Sequence, residues 1–143
     1  QGYSSAASDV YKRQQIEISD RLKALLVAKG FDKKQLVLVT DDGGGKYSLH
    51  GGACSIGTKF TIIVLDQPDP EYNVTVVNDQ GLALWTSTYD LIFFNDGIKM
   101  DYDQGRIAIK DNAHMLDNAV QIAKGAEVLA AFEQGVPADN LTC

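Results

Sequence analysis

The chain has 143 residues, 45% of them hydrophobic, which is enough for one core and too few for two domains of ordinary size. Its net charge is −6 and no lysine and arginine cluster is placed to neutralise a row of phosphates, so neither nucleic acid nor an anionic membrane is an expected partner. No apolar run approaches the roughly 20 residues that cross a bilayer, no secretion leader is recognisable, and two cysteines are too few to staple a secreted scaffold, so reduced thiols and a cytoplasmic address are expected.

Residues 1–14 are polar and aperiodic, and Asp9-Val10-Tyr11-Lys12-Arg13-Gln14 resembles the translation of a transposon end used in sequencing libraries. A non-native or disordered leader is expected over 1–14, one domain over 15–123, and a C-terminal helix and tail over 124–143. Without the leader the balance is 11 basic against 18 acidic residues, net −7.

Amphipathic patterning begins at Ile16. Over residues 18–30, Leu22, Leu25, Leu26 and Lys29 fall at helical spacing, Ser19 or Asp20 offers a cap and Gly30 a stop, which predicts a helix packing its leucine stripe on a sheet. Gln35–Thr40 is a β-branched run closed by Asp41-Asp42-Gly43-Gly44-Gly45, and residues 59–66 repeat that logic until Gln67-Pro68-Asp69-Pro70 breaks the ladder. Both read as buried strands. Short strands are also predicted at residues 72–77, 83–86, 91–94, 98–102 and 106–110, with hairpin turns at Asn95-Asp96-Gly97 and Asp103-Gln104-Gly105. The sheet is therefore expected to be mostly antiparallel. Beyond Asn112 the pattern weakens until residues 126–134, where Val128, Leu129 and Phe132 share a helical face.

Three motifs fail on inspection. The loop Asp42-Gly43-Gly44-Gly45-Lys46-Tyr47-Ser48 lacks the first glycine of a phosphate-binding loop, which is Thr40, and the hydroxyl after Lys46, which is Tyr47. A calcium loop from Asp101 would need a glycine one residue after Gly105 and a glutamate where Asn112 stands. The two cysteines and two histidines, His50 and His114, have no zinc-finger spacing.

The segment His50-Gly51-Gly52-Ala53-Cys54-Ser55-Ile56-Gly57 has more chemical potential, because glycines let backbone approach closely while one thiol is presented between two strands. Three readings stay open at this level: a thiolate for a soft metal, a small buried cysteine at a strand start, or a nucleophile with His50 as its base.

The order of helix, strand, glycine loop, Ala53-Cys54-Ser55-Ile56-Gly57, strand and Asp66-Gln67-Pro68-Asp69-Pro70 resembles the HesB-like, A-type iron-sulfur cluster biosynthesis family, and the likeness extends from about Ile16 to Asn112. It implies a mainly β, α+β fold of compact antiparallel, sandwich-like sheets with an N-terminal amphipathic helix and a short C-terminal one. It further implies a non-enzymatic role, in which an iron-sulfur cluster or iron is carried by thiolate ligand exchange between assembly proteins and apo-protein acceptors. The family's loop cysteine carries over to Cys54. Its later Cys-Gly-Cys pair does not, since Asp111-Asn112-Ala113 is followed by His114-Met115-Leu116-Asp117 and the remaining cysteine is Cys143. Iron-sulfur clusters generally take four protein ligands. The resemblance therefore implies a homodimer that pools two Cys54 thiolates, completed by His114, Asp117, Cys143 or an external thiol, or else a structural or protein-interaction module that keeps the fold without the metal.

Overall fold

In Gln15-Ile16-Glu17-Ile18 the isoleucines are buried and the polar residues exposed, the period of a half-buried strand. The computed structural model, which describes residues 15–40, 59–94 and 97–133, accordingly begins with strand β1 (Gln15–Ile18). Helix α1 (Asp20–Lys29) follows directly, with the Ser19 hydroxyl accepting from the Leu22 amide at 3.1 Å and Gly30 closing the last turn in the left-handed conformation. Leu22 and Leu26 are fully buried, as the leucine stripe predicts.

The remaining elements are β2 (Gln35–Thr40), β3 (Phe60–Leu65), β4 (Val74–Thr75), β5 (Val77–Asn78), β6 (Ala83–Thr86), a 3-10 turn (Asp90–Phe93), β7 (Ile98–Asp103), β8 (Arg106–Lys110), β9 (Met115–Asp117), β10 (Gln121–Lys124) and helix α2 (Gly125–Glu133). One sheet has the order β5-β1-β7-β8-β9 and the other β10-β3-β2-β6-β4. The protein is thus mainly β with few helices, as expected.

The sheets are mixed, however, and not mostly antiparallel. Strand β1 runs parallel to β5 and β7, β2 parallel to β6, and β3 parallel to β10, while β2–β3, β4–β6, β7–β8 and β8–β9 are antiparallel. Turn chemistry reveals only hairpins, whereas parallel pairs join strands far apart in sequence through long connections. The β7–β8 hairpin is present, with Asp103 opposite Arg106 and positive φ at Gln104 (52°) and Gly105 (81°), the two-residue turn that matches strand twist.

Residues 91–94 do not form the predicted strand. Ser87 starts the turn instead: its Oγ accepts from the Asp90 amide at 3.0 Å and donates to an Asp90 carboxylate oxygen at 2.6 Å, coiling the apolar run that follows. The hairpin predicted at Asn95-Asp96-Gly97 therefore lacks its first strand, and Asn95 and Asp96 lie outside the described residues.

Strands β2 and β3 are buried along nearly their whole length because both faces of their sheet are covered. Leu36, Leu38, Phe60, Ile62 and Val64 face a core shared with Ile98, Met100, Ile107 and Ile109 of the other sheet and with the α1 leucines. Val37, Val39, Ile63 and Leu65 face outward into a second cluster closed by Tyr72 and by Val128 of α2.

Candidate functional site

Residues 41–58, which include His50 and Cys54, lie outside the described residues, as do the leader 1–14 and Cys143. Their points of attachment are described. The segment departs from Thr40 and returns at Lys59, and Thr40 and Phe60 are the last register pair of β2 and β3. The segment is therefore bounded by β2, the central strand of the doubly covered sheet, and its neighbour β3.

Two buried aspartates hold these ends. Asp90, 4% exposed, accepts through Oδ1 from the Thr40 amide at 3.1 Å and from the Thr40 hydroxyl at 2.8 Å, while its Oδ2 accepts from Ser87. Asp117, 5% exposed, accepts through Oδ2 from the Phe60 amide at 2.9 Å and through Oδ1 from the Ala119 amide at 2.9 Å. Lys59 Nζ stands 3.5 Å from Asp117 Oδ1 and supplies a positive charge at the returning end. A buried carboxylate needs such partners, and main-chain amides at strand ends need such acceptors.

The two described candidate ligands occupy different settings. His114 projects from a tight turn in which Asp111 Oδ1 accepts from the Ala113 and His114 amides, both at 2.8 Å; its ring is largely exposed, with Nδ1 3.6 Å from Asp111 Oδ1. Asp117 ends β9 with both oxygens engaged by amides. Among the described residues, no three His, Cys, Asp or Glu side chains gather closely enough to hold a metal ion. No described helix is long and apolar enough to cross a membrane.

The sequence reading missed Asp90, although Ser87-Thr88-Tyr89-Asp90 carries the serine-to-acid spacing of a helix-start box. Its role as an anchor for Thr40, 50 residues away, has no local signal.

Residues 14–124 match the profile of a family described as iron-sulphur cluster biosynthesis. The chain belongs to that family. Among solved structures, a candidate Fe-S biosynthesis protein from Lactobacillus acidophilus is 35% identical, with a TM-score of 0.73, covering 85% of this chain and 98% of its own. A second, from Lactobacillus salivarius, is 23% identical with a TM-score of 0.61 over 77% of this chain and 97% of its own, and likewise shares the fold. No curated protein matches. In this member of the iron-sulphur cluster biosynthesis family, the chain after Asn112 forms the His114 turn and β9, so the residues that follow Asp111-Asn112-Ala113 place a carboxylate, Asp117, against the end of β3.

Proposed function

We propose that this chain acts in iron-sulfur cluster assembly as a carrier, accepting iron or a labile cluster as cargo on the Cys54 thiolate. The observation that supports this reading is the attachment of the Cys54 segment to paired strand ends that buried carboxylates anchor, within a chain of the iron-sulphur cluster biosynthesis family. The chemistry is ligand exchange. The thiolate donates a lone pair to iron while a weaker ligand leaves, and the reverse exchange passes the cargo to an assembly protein or apo-protein acceptor. No electron transfer and no substrate turnover are involved, so the protein is not an enzyme under this reading.

One thiolate per chain leaves coordination incomplete, so two chains would pool their Cys54 residues and draw further donors from His114, Asp117, Cys143 or an external thiol. The exposed His114 ring is the more available donor. Asp117 would have to release the Phe60 and Ala119 amides before binding metal.

Anaerobic reconstitution with iron and sulfide tests the proposal. Visible absorbance and bound iron are expected in the wild type, accompanied by dimer on size-exclusion chromatography, and are expected to be lost in Cys54→Ser. Equal iron in wild type and Cys54→Ser would remove the carrier role. A second reading, a protein-interaction module that retained the fold, is favoured by the commitment of Asp117 to main-chain amides; it predicts slow reaction of Cys54 with thiol reagents and no iron in either protein.

A further inference from the structure

We infer that the hollow between the C-terminal end of α1, the end of β3 and the start of α2 binds a small organic anion, one with a carboxylate, sulfonate or phosphate head on an apolar body. The hollow measures about 550 Å³, within the size range of small-molecule sites, and all of its lining residues are among the described ones. Its walls are apolar. Phe31 and Leu129 are half-buried, and Val64 and Leu65 are the buried last residues of β3. Its charges are three lysines, Lys29, Lys34 and Lys124, against the single carboxylate of Asp66. None of the candidate cargo ligands takes part.

The fold gathers these lysines from separate elements. Lys29 ends α1, Lys34 precedes β2, and Lys124 ends β10, where it stands opposite Val64 in the β10–β3 ladder. In a chain of net charge −6 such a grouping runs against the general balance. Asp66 accounts for one of the three: it accepts from Lys34 Nζ at 2.6 Å, and this bond, with a smaller contribution from the charge of Lys124, holds its carboxyl below the ordinary range. Among the described residues, neither Lys29 nor Lys124 has an ion-pair partner. Lys29 complements the negative end of the α1 dipole. Lys124 has the opposite setting, directly before Gly125, the first residue of α2, where the helix dipole repels a cation. Burial and helix electrostatics thus give no reason for a cation at position 124, and an anion in the hollow supplies one. The apolar walls strengthen that attraction by keeping water away, and they favour an anion with carbon to bury over a bare inorganic one.

Anilinonaphthalene sulfonate, a sulfonate on an aromatic body whose fluorescence rises when it leaves water, is the probe, titrated into the full-length protein with proton–nitrogen amide shifts recorded alongside. Saturable binding is expected that moves the amides of Gly125, Ala126 and Leu129 and weakens as sodium chloride is raised. Lys29→Gln combined with Lys124→Gln should weaken it roughly fivefold or more. Lys99→Gln combined with Lys110→Gln, the same change in net charge on the other sheet, leaves it unchanged. Ala126→Glu, which puts an acid in the first turn of α2 where the helix dipole favours it, should weaken binding too and serves if the lysine variant fails to fold. Inorganic phosphate, which has the head without the body, should not displace the probe. Wild-type affinity in folded Lys29→Gln/Lys124→Gln and Ala126→Glu, or binding that leaves the amides of Gly125, Ala126 and Leu129 in place, would overturn the site. Displacement of the probe by an equal concentration of phosphate would overturn the amphipathic ligand class.

Discussion

Thr40 and Phe60 stand opposite each other at the end of the β2–β3 ladder, and each is bound by a carboxylate from a distant part of the chain, Asp90 in one case and Asp117 in the other. The energetics of these contacts are accessible to single substitutions.

Asp117→Ala leaves the buried Phe60 amide without its acceptor, and an orphaned buried donor costs about 1–3 kcal/mol. Ala119 is an exposed residue and its amide, in a part-buried bond, adds less. Urea denaturation is expected to show a lower midpoint with an unchanged slope, and Asp117→Asn, which keeps one acceptor, should fall between the two.

Phe94 is completely buried and its ring lies 6.1 Å from that of Phe60, tilted by 49°. Phe94→Ala opens a cavity beneath the start of β3 and should cost about 3–5 kcal/mol. The same urea experiment checks it, and a loss below about 1 kcal/mol would mean that the neighbouring side chains collapse into the space.

Ser19 serves two structures at once. Its oxygen caps α1 through the Leu22 amide, and its hydroxyl, ahead of the Arg21 guanidinium, holds the Asp101 carboxyl below the ordinary carboxylate range. Ser19→Ala should cost about 1 kcal/mol for the lost cap. It should also let the Asp101 pKa rise, a change visible by NMR titration of its carboxyl carbon.

The depressed Asp101 pKa fixes the sign of a pH effect. The folded value lies below the unfolded one of about 3.9, so the stabilisation is fully present above that pH and is lost as pH falls through the folded value. Asp66, lowered by its hydrogen bond to Lys34, acts in the same direction. Denaturation midpoints are expected to fall below about pH 4, less steeply in Asp101→Asn, and the difference should shrink in high salt because the Arg21 and Asp101 side chains are substantially exposed.

The strongest sequence signals were those confined to one element. The capped leucine stripe of α1, the continuous apolar runs of β2 and β3 and the Gln104-Gly105 turn each carry their cause within a few residues, and each appears where the pattern places it. Strands β9 and β10 went unread because Met115-Leu116-Asp117 and Gln121-Ile122-Ala123-Lys124 are too short for periodicity and owe their pairing to β8 and β3. Strand β1 went unread as well: Ile16 and Ile18 alternate with polar neighbours, but over only four residues that abut α1, and the helical pattern was carried back to Ile18. Family and cysteine loop could be read from the order of motifs. The anchoring of that loop could not, because Asp90 and Asp117 act on residues 50 and 57 positions away.

Helix α2 lies beyond the residues that match the family profile, which stop at 124, yet Val128 fills the outer cluster over Val37, Val39, Ile63 and Leu65. A version trimmed to the profile boundary would bare a greasy plate on the back of the central strands. Such a fragment would self-associate through that plate, and its apparent oligomeric state would report the missing lid of carbon rather than any assembly built around iron.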